Sequence, residues 1–231
     1  MNPETHPQNP IFIQEMFGKI ARRYDLANHI LSMGLDFGWR KRIGRILAKQ
    51  QPRMILDLAT GSGDLALTLG RFCPNAEIVA ADFCLPMLVQ AQLKNVSNLM
   101  AADGMRLPFS DGTFNALTVA FGLRNMLSYE RAVGEFLRVL APGGTLLILD
   151  FSKPESLLRI PYRWYLRCVL PQIAEVLTGE KCAYDYLGES IEAFPSGTAM
   201  LRLIESAGGK DPTCIPLAGG IVSLYEAQKA T

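Results

Sequence analysis

The sequence MILDLATGSGD, residues 54–64, decides the fold class of this chain. Residues 54–59 are a mostly apolar run, as in a buried strand, and residues 64–72 have the apolar spacing of an amphipathic helix. Gly61 and Gly63 lie in the turn between them. Glycine tolerates a positive φ, so such a turn lets the backbone approach a ligand closely. The stretch therefore predicts a strand, a ligand-binding turn and a helix.

The alternation of strands and helices continues to residue 151. Apolar runs predict strands over residues 78–81, 98–102, 116–121 and 145–149, and amphipathic stretches predict helices over 85–94 and 129–140. We expect Pro142, Gly143 and Gly144 to end the second of these helices. Strands that are almost continuously apolar and alternate with helices form a parallel sheet covered on both faces. Such sheets bind ligands at the carboxyl ends of their strands.

The two flanks of this region have a different pattern. Residues 11–47 predict a helical arm, with eight basic residues against two acidic ones between Lys19 and Lys49. This excess of six positive charges is typical either of a solvated helix face or of a contact with an anionic surface. After residue 152 come an amphipathic aromatic segment over 157–177, a predicted helix over 196–207, and two short strands separated by Gly219 and Gly220.

Composition excludes several classes of protein. With 231 residues, 49% apolar and 19% charged, the chain should fold as one large α/β domain. A net charge of +1 disfavours a nucleic-acid partner. Five cysteines without metal or redox spacing indicate reduced thiols in a cytoplasmic protein. The sequence shows neither a signal peptide nor an apolar run long enough to span a membrane.

Aspartates lie at the ends of the first three predicted strands: Asp57, Asp82 and Asp103. Gly61, Gly63 and Ala66 fit a dinucleotide fingerprint with Asp82 as the ribose acid, so a nicotinamide-dependent oxidoreductase is one interpretation.

Two features count against that interpretation. Asp57 would repel a pyrophosphate and attract a cation. Tyr184 also has Gly188 four positions on, where a dehydrogenase would need a lysine, and no residues remain for a second domain. The ammonium and sulfonium groups of S-adenosylmethionine suit Asp57 better, which favours a methyltransferase.

The aspartates are expected to contact different parts of S-adenosylmethionine. We expect Asp82 to accept hydrogen bonds from the ribose hydroxyls, and Asp103 with Gly104 to border the adenine, where Asp103 can accept from the exocyclic amine. The alternative for each aspartate is a carboxylate that caps the next turn.

Separated motifs between about Met16 and Leu224 resemble the menaquinone and ubiquinone biosynthesis C-methyltransferases, which methylate the ring of a polyprenyl quinol. The specific motifs are Arg23-Tyr24-Asp25-Leu26 with Asn28, Phe121-Gly122-Leu123-Arg124-Asn125, Phe151-Ser152-Lys153-Pro154, and Tyr184 with Tyr186-Leu187 and Ser190-Ile191. The glycine turn and Pro142-Gly143-Gly144 recur in many methyltransferases and are weaker signals.

The resemblance implies a Rossmann-like class I methyltransferase, with a seven-stranded, mostly parallel sheet and S-adenosylmethionine as methyl donor. It places cofactor contacts on Ser62, Asp82, Asp103 and Gly104. It also implies an N-terminal arm over residues 1–50, a methyltransferase domain over 51–231, and a substrate-covering segment over 155–195. The substrate is expected to be a polyprenyl quinol lipid, and no metal is expected. The oligomeric state stays open, a homodimer being one alternative.

Arg124 is the candidate for activating the substrate. A sulfonium is already an activated donor, so the enzyme has to orient the ring carbon and to stabilise the quinol as its phenolate. A buried cation lowers a hydroxyl pKa, and Arg124 follows the fourth strand beside Asn125. The alternative is an arginine paired with a carboxylate to fix the loop. Tyr24, Asp25, Tyr184 and Tyr186 are expected to close over the ring, while His29 is expected to be structural.

Two further expectations concern the substrate and the membrane. Phe194-Pro195 favours a demethylated menaquinol over a benzoquinol of the ubiquinone pathway, and an enzyme that accepts both stays open. Arg159, Arg163 and Arg167 share one helix face, which with the basic arm suggests a peripheral contact with anionic lipid. A solvated arginine face is the alternative.

Overall fold

A computed structural model of the chain describes residues 9–21, 23–154 and 181–230. The strands are β1 (Met54–Leu58), β2 (Glu77–Asp82), β3 (Leu99–Ala101), β4 (Phe114–Ala120), β5 (Leu140–Phe151), β6 (Gly209–Leu217) and β7 (Val222–Lys229). The helices of the described residues are α1 (Pro10–Ile20), α2 (Tyr24–Leu31), α3 (Leu35–Gln50), α4 (Asp64–Phe72), α5 (Leu85–Leu93), α6 (Tyr129–Val139), α7 (Lys181–Ala193) and α8 (Thr198–Ser206).

The seven strands form one sheet in the order β3-β2-β1-β4-β5-β7-β6. Strands β1 to β5 are parallel, and β7 runs antiparallel between β5 and β6. Strand β1 has β2 on one side and β4 on the other, so the direction in which successive strands are added to the sheet reverses at β1. Such a reversal places a crevice at the carboxyl end of β1. The prediction of a seven-stranded, mostly parallel sheet is confirmed.

Strand β1 is the centre of the core because its side chains are buried on both faces. Leu56 and Leu58 pack with β4 and α6, while Ile55 packs on the opposite face with Ile43 and Leu47 of α3. Replacing one such leucine by alanine costs about 2–5 kcal/mol, since the rigid surroundings leave a cavity. The core therefore fixes the end of β1 from which the glycine turn begins.

The predicted boundary between helix 129–140 and strand 145–149 is wrong. Helix α6 ends at Val139, and Leu140 already pairs with Phe114 of β4. The ladder then shifts and resumes with Ala116 opposite Thr145. Residues 141–144 thus form a bulge inside β5, where a proline without an N–H is tolerated.

The predicted helical arm consists of three helices, α1 to α3, together called the arm. Helix α1 packs through Ile13 and Met16 against Tyr186 of α7, and Phe17 packs against Met87 of α5. Gly34 has a φ of 74° and starts α3. Among the residues that the structure describes, no helix is long and apolar enough to cross a membrane. The predicted segment 157–177 lies outside those residues.

Candidate active site

A cavity of about 840 Å³, measured out to its open mouth, lies at the carboxyl ends of the central strands. Its floor comes from the turns after β1, β2 and β4, and its opposite wall from Ile13 and Phe17 of α1 and Tyr24 of α2. The predicted site residues that line it are Tyr24, Gly61, Asp82, Asp103, Gly104 and Asn125. A cavity of this size is typical of cofactor and ligand sites, and it brings four residues expected to bind the cofactor together with two expected to contact the substrate.

Asp82 anchors the glycine turn and faces the cavity. Its Oδ2 accepts from the Gly61 N–H at 2.8 Å, and its Oδ1 accepts from the Cys84 N–H at 2.8 Å. Burial raises the pKa of Asp82, and these backbone N–H groups offset part of the rise. Each carboxylate oxygen keeps a lone pair for a further donor. The geometry fits a ribose, whose two hydroxyls are neighbouring donors.

The turn has the backbone that its glycines predict. Gly61 has a φ of 58° and Gly63 a φ of 85°, in the left-handed region that favours glycine. Gly61 lines the cavity, whereas Gly63 lies outside the lining. Ala59 and Phe121, at the ends of β1 and β4, also have positive φ, at 52° and 56°. Two strained non-glycine residues on one cavity floor are typical of a functional site.

Asp57 lies outside the cavity lining, which differs from the expected direct contact with the cofactor. Its Oδ2 accepts from the Thr60 hydroxyl at 2.7 Å and its Oδ1 from the Thr118 hydroxyl at 2.8 Å. Burial raises its pKa to about 6, with the two threonine hydroxyls opposing the rise. Asp57 therefore holds the turn, and any attraction for a cation acts through space.

Asp103 and Gly104 line the cavity beyond β3. The Asp103 side chain is exposed, and its Oδ1 accepts from the Met105 N–H at 2.9 Å. A Cβ on Gly104 would lie 2.7 Å from the terminal carbon of Met126, so a side chain there would displace the flexible end of Met126. Within the described residues, no group of three or more His, Cys, Asp or Glu has the arrangement of a metal site.

Asn125 and Tyr24 line the cavity, and Tyr186 of α7 lies against Asn125. The Tyr186 hydroxyl donates to Asn125 Oδ1 at 3.1 Å, which ties α7 to the loop after β4. Burial raises the pKa of Tyr186 to about 12 and also raises the pKa of Tyr24. Both tyrosines therefore stay protonated and serve as hydrogen-bond donors. Tyr184 is expected beside them, but its side chain is not among those that the structure describes.

Arg124 is buried behind the cavity lining. Its Nη1 donates to the Phe121 carbonyl and pairs with Asp150 Oδ1 at 3.1 Å, while its backbone N–H donates to Asp150 Oδ2 at 3.3 Å. The guanidinium lies 5.1 Å from the centre of the Phe151 ring. Arg124 therefore fixes the strained turn at Phe121, as the loop-fixing interpretation predicts.

The charge of Arg124 nevertheless extends into the cavity. Its positive charge lowers the pKa of both Tyr24 and Tyr186, against the larger effect of burial. Asp150 opposes this effect at Tyr186. The sequence analysis did not single out Asp150. It lies near the carboxyl end of β5, where residues of a parallel sheet are expected to face a ligand.

Asp25 and Ser62 meet outside the cavity lining. The Ser62 hydroxyl donates to Asp25 Oδ1, and Lys94 Nζ donates to Ser62 Oγ at 3.1 Å. Lys94 also pairs with Asp25 Oδ2 and Asp64 Oδ1, each at 2.5 Å. Nothing in the sequence pattern pointed to Lys94, because it lies 32 positions from Ser62.

His29 is structural, as expected, but for a different reason. Its Nδ1 lies 2.6 Å from Asp36 Oδ2, and its ring stacks on Phe37. Its neighbour Ile30 is exposed rather than packed. A hydrogen bond to Asp36 and stacking on Phe37 therefore fix His29.

The sheet order, the glycine turn after β1 and the acid that ends β2 define an S-adenosylmethionine-dependent methyltransferase of class I. Such a methyltransferase from Thermotoga maritima has a TM-score of 0.64 at 16% identity, covering 93% of this chain and 99% of that one. A second, from Aquifex aeolicus, has a TM-score of 0.57 at 17% identity, covering 80% and 88%.

Sequence comparison gives the family. The model of the ubiE/COQ5 methyltransferase family matches residues 4–229, and the chain belongs to that family. A demethylmenaquinone methyltransferase of Thermus thermophilus is 47% identical over 199 residues, which cover 84% of this chain and 90% of that protein. One of Mycolicibacterium gilvum is 40% identical, covering 99% and 100%. A ubiquinone/menaquinone biosynthesis C-methyltransferase of Syntrophotalea carbinolica is 43% identical, covering 97% and 96%.

Proposed function

We propose that this enzyme transfers the methyl group of S-adenosylmethionine to a ring carbon of a polyprenyl quinol, with demethylmenaquinol as substrate and menaquinol as product. The observation that carries the proposal is that Asp82, Tyr24 and Asn125 line one and the same cavity. The relatives named for demethylmenaquinone support the choice of substrate.

The chain's residues fit the donor. Asp82 accepts from the ribose, Gly61 brings the backbone close, and Asp103 with Gly104 borders the adenine. S-adenosylmethionine supplies, when bound, a methyl group on a positively charged sulfur. The ionised carboxylate of Asp57, one layer behind the turn, favours that charge through space.

Arg124 activates the ring. A quinol phenolate pushes electron density onto the neighbouring ring carbon, whereas a quinone ring is electron-poor and unreactive. The positive charge of Arg124 opposes the burial-driven rise in the pKa of Tyr24, which lines the cavity, and of Tyr186, and it favours a substrate phenolate in the same way. Asn125 accepts from Tyr186 through Oδ1 and donates one amide N–H to the Phe121 carbonyl at 3.4 Å, and its second amide N–H orients the ring oxygen. Of the expected substrate-covering segment 155–195, the structure describes residues 181–195, and α7 contacts the loop after β4 through Tyr186.

A competition assay tests the substrate assignment. Equal concentrations of a demethylated naphthoquinol and a demethylated benzoquinol compete for one limiting supply of cofactor, with each also supplied as the oxidised quinone. We expect methylated naphthoquinol to dominate and both oxidised forms to be unreactive. Dominant benzoquinol product would move the enzyme to the ubiquinone pathway, and methylation of an oxidised form would refute the phenolate mechanism.

We also propose that the arm rests on an anionic bilayer, from which the lipid substrate is taken. Six large apolar side chains between residues 11 and 37 are exposed: Ile11, Leu26, Ile30, Met33, Leu35 and Phe37. Exposed basic side chains lie in the same part of the chain: Arg23 between α1 and α2, and Lys41, Arg42 and Arg45 on α3. Apolar groups that insert and cations that attract lipid phosphates are the combination of an interfacial helix. Arg159, Arg163 and Arg167 lie outside the described residues.

Vesicle sedimentation tests this contact. We expect binding to phosphatidylcholine vesicles that contain phosphatidylglycerol, weaker binding to pure phosphatidylcholine, and loss of binding at high salt. Met33→Ser should weaken binding, because Met33 is 85% exposed on the arm. Leu93→Ser is the matched control, since Leu93 is 72% exposed on α5. Equal binding to both vesicles, or equal effects of the two variants, would contradict the proposal.

A further inference from the structure

Lys94 connects the arm to the cofactor turn. It caps the C-terminus of α5, and its Nζ contacts side chains from two distant chain segments. Asp25 of α2 lies on one side at 2.5 Å, and Ser62 and Asp64 of the turn lie on the other at 3.1 Å and 2.5 Å. The Ser62 hydroxyl closes the group by donating to Asp25. We call these four residues the clasp.

Each side of the clasp is one residue away from the cavity. Asp25 follows Tyr24, which lines the cavity wall, and Ser62 follows Gly61, which lines the floor and donates to Asp82. A displacement of either clasp partner therefore moves a cavity residue. The clasp holds the wall against the floor at the end of the cavity where Asp82 lies.

Further side chains of the arm lie near Asp64, the clasp residue that begins α4. Arg40 of α3 pairs with Asp36 at 2.7 Å and reaches Asp64 at 3.5 Å, and His29 Nε2 lies 3.7 Å from the same carboxylate. The arm thus approaches Asp64 from both α2 and α3. Because Lys94, Asp25 and Asp64 are each about one-quarter exposed, water and salt weaken these pairs and the contact can open.

We propose that Lys94 is a positioning residue that closes the arm over the bound cofactor and sets how fast the cofactor leaves. The proposal rests on S-adenosylmethionine as the cofactor, and it is independent of which quinol is methylated. It also assigns Asp25 to the closure of the arm rather than to contact with the substrate ring.

The test compares Lys94→Met with Lys49→Met, an exposed lysine in the last turn of α3. Calorimetry and stopped-flow measure the affinity and the release rate of S-adenosylmethionine. We expect Lys94→Met to weaken binding about tenfold, mostly through faster release, and to raise the cofactor KM more than it lowers kcat. High salt should reduce the difference from wild type, and Lys49→Met should behave as wild type.

Two further measurements separate closure from general destabilisation. Trypsin cleavage after Arg23, which is exposed between α1 and α2, reports opening of the arm and should be faster in Lys94→Met with or without cofactor. The double variant with Asp25→Asn and Lys94→Met should release the cofactor no faster than Lys94→Met alone, because both substitutions remove the same Lys94–Asp25 ion pair.

Wild-type release and cleavage rates in Lys94→Met, or additive effects of the two changes, would overturn the proposal. If the wild type failed to bind S-adenosylmethionine, the proposed function would fail, while the cleavage rates would still decide the clasp.

Discussion

Arg124→Ala separates the two roles that the structure allows for this arginine. Arg124 is 5% exposed and Asp150 is fully buried, so the substitution leaves a carboxylate without its cation inside the protein. Removing one partner of a buried ion pair costs about 3–5 kcal/mol. For a chain of this size, 1 kcal/mol lowers Tm by roughly 2–4 °C, so we expect a fall of about 10 °C.

The loss of stability should depend on pH. Burial raises the pKa of Asp150 above its usual range, and Arg124 opposes the rise. Without Arg124 the pKa in the folded state is higher still, and a carboxyl with a raised folded-state pKa loses stability as pH rises. The difference in Tm between variant and wild type should therefore shrink as pH falls and the Asp150 carboxyl becomes protonated.

A double variant isolates catalysis from folding. Arg124→Met with Asp150→Asn removes both charges and keeps one acceptor for the Phe151 N–H, so Tm should recover. Turnover should stay at least about a hundredfold low, because loss of one group that stabilises an oxyanion costs roughly 3–4 kcal/mol. Higher pH should partly restore turnover as hydroxide ionises the quinol.

Single-turnover methyl transfer across pH, with thermal melting of each variant, makes both measurements. Recovery of both Tm and turnover in the double variant would refute the phenolate role and leave Arg124 as a loop-fixing residue. Arg124→Lys is the intermediate case, since it keeps the charge but loses the planar fork that binds Phe121 and Asp150 together.

Three other substitutions test the cofactor and substrate sides. Asp82→Asn should weaken S-adenosylmethionine binding at least a hundredfold by calorimetry, since its amide would face a Gly61 or Cys84 N–H and lose a charged ribose contact; wild-type affinity would refute the placement. Wild-type cofactor affinity should rise as pH increases through about 6, where Asp57 ionises, and Asp57→Asn should abolish that rise; the same profile in both would exclude attraction through space. Tyr186→Phe should lower turnover about fivefold with unchanged cofactor affinity, because one hydrogen bond to Asn125 is lost; unchanged turnover would make that contact dispensable.

Much of the cavity was predicted from sequence, because ligands bind at the carboxyl ends of the strands in a parallel sheet. Asp82 and Gly61 line it because buried apolar strands fix where the chain leaves the sheet, and local patterns report those strands. The same reasoning predicted that Asp57 lies at the glycine turn, but it did not predict that Asp57 lies behind the turn and outside the cavity lining. The two threonine hydroxyls that enclose Asp57 come from a turn and a neighbouring strand, and their geometry is set only when β1 pairs with β4.

Contacts between distant segments could not be predicted from one sequence. Lys94 at the end of α5 reaches both Asp25 and Ser62 because α2, α4 and α5 converge beside the turn, and no spacing encodes that convergence. The bulge in β5 is similar, since Pro142 and the glycines after it have the composition of a turn. Pairing of Leu140 with Phe114 draws them into the strand.

The central claim is that the methyl group of S-adenosylmethionine goes to a ring carbon of a quinol. Incubation of the enzyme with ¹³C-methyl-labelled cofactor and reduced demethylated naphthoquinol, followed by NMR and mass spectrometry of the extracted lipid, tests it directly. We predict one labelled methyl group bound to a ring carbon. It should form far more slowly with Asp82→Asn, and it should not form when the substrate is kept oxidised. A labelled methyl group on a quinol oxygen, or no transfer to the reduced lipid by the cofactor-bound enzyme, would contradict the account.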